Sequence, residues 1–421
     1  MNESFIKTKS ELTQKNILSL YIEKFTAFLI LFIPVSMVMI PKGKYLAALL
    51  LIVSCVGLLL NRVKVAFQTE ERIFLYVFFL YFCVHAINIL WFKAEIRELD
   101  VASRFLIVLP IFFYLRKSNI RIDWFCGGIL LAAITIGISS LYDVFFLNIG
   151  RPTSQVDIGA FGMFSAIFAL LSLSMLNLYK SNKYIRLFSL LGFLGGTIGV
   201  VFALTRGVWI SFFLTTILFL LINPLQWNLR KKIIFTASLT LFMLTVYFLP
   251  DTGVSTRIDQ ATSNIYDYFW SGLSASSAGA RLEMWRASLK IIENNLIFGV
   301  GENNFNKHLT VLVENREIDN FVGRFRHPHN EYLSTLVEQG IIGLITLFTL
   351  FLVPLVSYYK RLFIGSYEAR LLMLSGAIII LIYMGFSLTS GVFDHQIGAL
   401  FYTIFMAIIM GIYGSYMRRN L

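Results

Sequence analysis

Charge is scarce in this sequence. Asp, Glu, Lys and Arg make up only 14% of it, where soluble domains carry about a quarter, so a water-facing globular surface is excluded for most of the chain. Cysteine is scarcer. Cys55, Cys83 and Cys126 are the only three, each inside or at the edge of an apolar run, so no disulfide staples an external part and they read as small core residues. No GxxxxGK[ST] loop occurs, which removes an ATP-driven machine. No DxD occurs either, so the usual metal-held nucleotide-sugar site is missing. Neither half has the paired broken helices of a repeat-built transporter.

What is abundant is apolar surface. Hydrophobic residues reach 57% and aromatic residues 15%, with 40 Phe, and the mean hydropathy is +0.73. Apolar runs near the ~20 residues that cross a bilayer as helix recur at 25–40, 44–60, 73–92, 101–115, 124–147, 159–178, 187–204, 207–222, 233–249, 333–356, 371–390 and 397–415. The expected fold is an all-α polytopic membrane protein of about twelve transmembrane helices. The fourth and eighth runs are short. The first sixteen residues are polar and lack a small-residue cleavage site, so no signal peptide is expected.

Lys and Arg accumulate on the cytoplasmic side of short loops. With the N-terminus inside, the inner segments hold 21 of the 36 and the short outer loops 7. Both termini are therefore expected in the cytoplasm. The net charge of +12 is mostly this topology signal. The remaining 8 lie in the long external segment 250–330, against 9 Asp and Glu, so nucleic acid is not an expected partner. The chain thus divides into spans one to nine (1–249), an external loop domain (250–330) and spans ten to twelve (331–421). Long ordered loops are usually functional. Within this one, "SGLSASSAG" reads as a flexible break and "ARLEMWRASLKIIENNLIFGVG" as an amphipathic helix with Leu282, Trp285, Leu289 and Ile292 on its apolar face.

Polar residues at the edges of apolar runs are where chemistry is sought. In "RFRHPHNEYLSTLVEQGIIGL" (324–344), Pro328 suits a first helical turn and would place His329 at the membrane surface. At 100° per residue, Gly340 and Gly343 then fall about 20° and 40° from the direction of His329. One reading is a helix-packing stripe. The other is that the stripe orients a neutral imidazole, kept so by the positive helix N-terminus, as a general base. His327 and His329 could instead begin a metal site, with Glu331 or His308 as further ligands, but no recognisable spacing supports one. Arg206, in "FALTRGVWISF", is the only charged residue between Arg186 and Arg230. It is either a snorkelling interface arginine or a bidentate anion ligand. Arg281, in "SSAGARLEMW", stands at a helix start and suits a phosphate, or is an ordinary loop charge. Glu338, Asp143, Asp394, His395 and His85 are isolated polar residues to which no role is given.

"HNEYLSTLVEQGIIG", with His-Asn, nine residues, Gly, two residues and Gly, resembles the signature of the O-antigen ligases. "TRGVWISF", "GARLEMWRASL" and "FGVGENNF" are similar to that family's segments, in its order, and twelve spans with one large loop before the tenth resemble its layout. The resemblance implies an inner-membrane glycosyltransferase that moves O-antigen from undecaprenyl diphosphate to a sugar hydroxyl of lipid A–core, with no metal, ATP or other cofactor. It makes 250–330 a periplasmic loop. It further implies that His329 is the catalytic base, that Arg206 and Arg281 bind the donor diphosphate, and that His327 and Asn330 support them. O-antigen polymerases and protein O-oligosaccharyltransferases share the donor. The latter tend to be longer at the C-terminus, so a chain ending just after its last span leans towards the ligase. A lipid-linked glycan transporter is the alternative from another class.

Overall fold

The computed structural model describes residues 2–60, 66–152, 154–176, 182–222, 224–249, 252–271 and 275–419. Among them the regular structure is helical throughout, with no strand. The helices are α1 (Asn2–Met39), α2 (Tyr45–Leu60), α3 (Thr69–Trp91), α4 (Leu99–Ile107), α5 (Leu109–Lys117), α6 (Ile122–Leu141), α7 (Ile158–Ser174), α8 (Lys183–Phe202), α9 (Arg206–Ile222) and α10 (Leu229–Phe248). They continue with α11 (Val254–Ser271), α12 (Ser277–Asn295), α13 (Phe305–Glu314), α14 (Glu331–Arg361), α15 (Tyr367–Ser387) and α16 (Gln396–Arg419).

Every apolar run falls on a helix, but not every helix has spanning length. Eight among the described residues are long and apolar enough to cross a membrane, those of α1, α3, α6, α8, α10, α14, α15 and α16. Helices α2, α7 and α9 are apolar but have only 16 or 17 residues. The run at 101–115 divides at Val108 into α4 and α5 of nine residues each. Pro110 lies in the first turn of α5, where its missing N–H costs nothing to that helix but cannot serve the one before it.

Burial sorts the helices. From Ala160 to Ser174 every residue of α7 is buried, and the Phe rings of α7 and α16 stack, with Phe164 and Phe401 centroids 4.0 Å apart. In α10 only Val246 is buried, so that helix keeps its sides for lipid, as an apolar sequence without a packing stripe should. A separate small core forms within 250–330. Met284, Ala287 and Ile291 of α12 meet Phe305 and Leu309 of α13, and Val337 of α14 joins them. The loop domain is thereby fused to the first turns of α14.

At the opposite end of α14 lie the buried charges. Arg361 donates to Glu70 at 2.7 Å, and Arg116 pairs with Glu71, whose carboxylate also accepts from the Gln68 backbone N–H at 2.6 Å and caps α3. The side chains of Glu71 and Arg116 are 0% and 5% exposed. Removing one partner of such a pair strands a charge and costs about 3–5 kcal/mol. Glu71→Ala is therefore expected to lower the thermal unfolding midpoint of the detergent-solubilised protein markedly. The double variant Glu71→Leu/Arg116→Leu should recover much of the loss, and a single variant as stable as wild type would contradict the pairing.

Candidate active site

Three segments distant in sequence converge at the end of the bundle next to the loop domain. The chain turns sharply between α8 and α9, with Leu204 at φ 51°, which puts Arg206 at the first position of α9. Ser276 caps α12 by accepting from the Gly279 N–H at 3.0 Å, which places Arg281 in the opening turns of that helix. The third segment is 325–330, pinned from both sides. Trp285 Nε1 of α12 donates to the Pro328 carbonyl at 3.0 Å, and Asn330 Nδ2 donates to the Leu388 carbonyl at 3.1 Å, just beyond α15.

The local geometry differs from the helix-stripe expectation. Helix α14 begins at Glu331, not Pro328, because Asn330 is its N-cap and accepts from the Leu333 N–H at 3.1 Å. Asn is among the best N-cap residues, and it outcompetes Pro328 for the start. His329 therefore precedes the helix and takes a left-handed φ of 52°. Outside glycine that region is sparsely used, and His is among the residues enriched there. Gly340 does not continue the helix either. Its φ of 66° and ψ of −162° break α14 in two, so the angles of about 20° and 40° for Gly340 and Gly343 have no continuous helix to refer to. Gly340 packs instead on the loop domain, where a Cβ would overlap the Ile297 carbonyl. A Cβ on Gly343 would crowd the Gln339 side chain of its own helix.

The break is hydrogen-bonded by that same contact. Val300 and Gly301 N–H donate to the carbonyls of Val337 and Glu338, and the Ile341 N–H donates to the Leu296 carbonyl, all at 2.8 Å. Asn88 of α3 closes the joint, donating to the Glu338 carbonyl at 3.2 Å and accepting from the Glu302 N–H at 3.2 Å. The amphipathic face of α12 is also rotated from the expected one. Leu289 is exposed, whereas Glu283 is buried and accepts from Tyr268 Oη at 2.7 Å and from the Asp319 N–H at 3.2 Å. Residues 272–274 of the Ser/Gly stretch lie outside the described residues.

Electrostatics tie the three segments together. Burial first, and then the charge of nearby Arg206, hold Arg281 below the usual guanidinium range. Among the described residues neither arginine has a carboxylate within ion-pair reach. Burial also pushes His329 down to about 4, helped by His327, Arg281 and His395. The ring is thus neutral at ordinary pH. His327 follows at 4.3 Å between ring centroids and His395 lies 5.8 Å from His327. His327 Nδ1 is 3.2 Å from Asp394 Oδ2, though too poorly aligned for a hydrogen bond. Burial holds His327 low and Asp394 high. The groups run in a row, Arg206, Arg281, His329, His327, Asp394.

Beyond His327 a cavity of about 510 Å³ opens, walled by Tyr81, Glu302, Glu331, Gln339 and Asp394 among others. Asp394 and His395 were visible in the sequence only as isolated polar residues, and Glu331 only as a possible further ligand to the histidine pair. Their signal lies in the fold: α15 returns residues 388–395 to the mouth of α14, where Glu331 accepts from the Phe393 N–H at 3.0 Å. His308 sits exposed on α13, and no group of three or more His, Cys, Asp or Glu among the described residues is arranged to hold a metal ion.

Residues 190–348 match the model of the O-antigen ligase family. The matched stretch contains Arg206, Arg281, His327, His329, Asn330, Gly340 and Gly343. An uncharacterized protein of Haemophilus influenzae is 25% identical over 378 residues, covering 87% of this chain and 93% of that protein.

A side chain at position 340 would be strained by its backbone, at about 1–3 kcal/mol, and would collide with the loop domain. Gly340→Ala is expected to speed amide hydrogen exchange across 296–303 and to lower activity together with it. Unchanged exchange there would show that the joint tolerates a Cβ.

Proposed function

We propose that this membrane protein is an inverting glycosyltransferase that moves O-antigen polysaccharide from undecaprenyl diphosphate to a sugar hydroxyl of lipid A–core, completing lipopolysaccharide. In this reading it sits in the bacterial inner membrane as twelve spans with both termini cytoplasmic, and the loop domain and reaction face the periplasm. The observation that carries the reading is two arginines without acidic partners among the described residues, one of them close enough to His329 to lower its pKa.

Such an arrangement suits an anionic donor. Two guanidinium groups near one another repel until an anion lies between them, and a diphosphate fits their forked donors. His329 takes the proton of the acceptor hydroxyl, the oxygen attacks the anomeric carbon opposite the phosphate, and the sugar–phosphate bond breaks with its electron pair on the diphosphate. Arg206 and Arg281 neutralise the charge growing there. The donor bond is already activated, so the reading requires neither metal nor nucleotide. His327, in ion-pair range of Asp394, sits behind His329, and Asn330 fixes the backbone that aims the base. Gly340 serves by placing that backbone against the loop domain, and Gly343 leaves room for the Gln339 side chain.

A base at about 4 is weak in the free protein. A bound diphosphate offsets the Arg281 charge that adds to burial in depressing it, and so raises its pKa. The acid limb of kcat/KM, which reports the free enzyme, is therefore expected near pH 4, and that of kcat at higher pH. His329 is neutral above each limb, so activity falls as pH drops through it. Coincident limbs in a pH–rate series would contradict the coupling.

The direct test is a lipopolysaccharide gel from a strain lacking the gene, with a blot for carrier-linked glycan. Core bands without repeats, and glycan accumulating on the carrier, establish the ligase. Core bearing one repeat indicates a polymerase, and an unchanged ladder leaves protein glycosylation or transport. Complementation with His329→Ala should restore about 1% of ligation or less, the loss expected for a general base. Full restoration would remove the mechanism.

A further inference from the structure

The row of charged groups has two ends, and only one is used by a diphosphate. Arg206 and Arg281 stand at one end. At the other, His327 and His395 line the cavity, whereas neither arginine and not His329 itself belongs to its walls. The cavity has the opposite chemistry. Glu98, Glu302, Glu331, Glu338 and Asp394 all face it, and its own arginines, Arg324 and Arg326, are exposed. Arg324 is moreover stacked over Phe321 at 4.2 Å. A second phosphate would meet carboxylates there, and an apolar lipid chain would leave them buried and unpaired.

Acidic lining alone says little, but a buried acceptor stands unsatisfied within it. Gln339 is 5% exposed. Its Nε2 donates to Glu302 Oε1 at 2.5 Å, which leaves Oε1 as the free acceptor, with no partner. The Ser334 hydroxyl, 2% exposed and beside Asp394, likewise lacks a well-directed bond. Buried polar atoms are nearly always paired, and exceptions call for an explanation such as a missing ligand. Carboxylate and amide oxygens are acceptors that fit a ligand rich in hydroxyl donors. The Tyr81 ring, edge-on to Phe393 at 5.8 Å between centroids, supplies an apolar wall for a sugar face. The volume of about 510 Å³ lies within the usual range for small-molecule sites, roughly 300–1,000 Å³.

We infer that this cavity is the subsite for the acceptor sugar, binding non-phosphorylated pyranose rings through Glu302, Glu338, Gln339 and Ser334. The inference rests on the transfer reading for the word acceptor. It also fits the stereochemistry of that reading, since inversion needs the attacking hydroxyl to arrive from the side away from the diphosphate. The carboxyl and amide oxygens then select a ligand that brings donor hydrogens, which sugar hydroxyls do and the acceptor-only diphosphate does not.

The test uses the full-length detergent-solubilised protein and two calorimetric probes: dephosphorylated core oligosaccharide freed of its lipid, and inorganic pyrophosphate. Gln339→Met, which keeps volume, and Glu302→Gln, which keeps shape, are each expected to weaken oligosaccharide binding at least five-fold and to change pyrophosphate binding less than two-fold. Arg281→Ala should do the reverse. Wild-type oligosaccharide affinity in both cavity variants, or a loss confined to pyrophosphate, would overturn the subsite. Tight binding of a divalent cation at the cavity, abolished by the same variants, would overturn it as well. A protein that binds oligosaccharide through the cavity yet transfers no glycan keeps the subsite and sinks the ligase reading. Transfer with an unaltered acceptor KM in both cavity variants does the opposite.

Discussion

The break in α14 at Gly340, and the strand-like docking of residues 296–301 into it, is the constraint on which the rest of this site depends. A helix interrupted inside an apolar bundle exposes carbonyls and N–H groups that lipid cannot satisfy. Here the loop domain satisfies them, through three backbone hydrogen bonds of 2.8 Å, and Asn88 adds side-chain bonds from α3. The joint thus fixes α12 relative to α14. Since α12 carries Arg281 and its Trp285 holds the Pro328 carbonyl, the position of an arginine against a histidine follows from a break eleven residues further along. Two glycines permit it. Gly299 and Gly340, at φ 70° and 66°, face one another so closely that a Cβ on either would overlap the other strand's backbone.

This anchorage explains how strained and like-charged groups persist together. A left-handed His329 and two nearby guanidinium groups each cost free energy in the free protein, and a loop held only by its ends would relax away from both. Segment 325–330 is instead held by Trp285 on one side and by the Leu388 carbonyl on the other, and then captured by its own helix through the Asn330 cap. Strain of this kind survives where surroundings over-determine the backbone. In the proposed site an anion between the two guanidinium groups would remove their repulsion, whereas the Arg116–Glu71 pair at the far end of the bundle is already neutral and buried.

Much of this was legible in the amino-acid order, and the remainder was not for definite reasons. Apolar runs locate every helix of spanning length among the described residues, because composition in lipid is a stronger signal than propensity in water. They say less about spanning length, so Pro110 splits one run and α7 is too short for a simple crossing although every residue from 160 to 174 is buried. The helix start was misplaced, since Pro328 suits a first turn, whereas α14 begins at Glu331 with the Asn330 side chain as its cap. Gly340 could not be read as a break, because a glycine in a periodic apolar stretch has the same letters whether it packs a helix or ends one. What decides is the carbonyl of Ile297, 43 residues upstream, and no local rule reaches that far.

The cavity was the least legible part, and this follows from how its walls are assembled. Its groups come from α3, from the joint at 302–303, from the first turns of α14 and from the turn after α15, so each appears in the sequence as one polar residue among apolar neighbours. Polar side chains within a membrane bundle persist only where they pair or line a watery space. Glu331 takes the Phe393 N–H and Glu338 takes the Asn303 N–H at 3.1 Å, which accounts for part of their burial. Gln339 Oε1 is left without such a partner. Buried at the break of α14 and facing the cavity, that oxygen is an acceptor that a molecule bringing donor hydrogens into the space can satisfy.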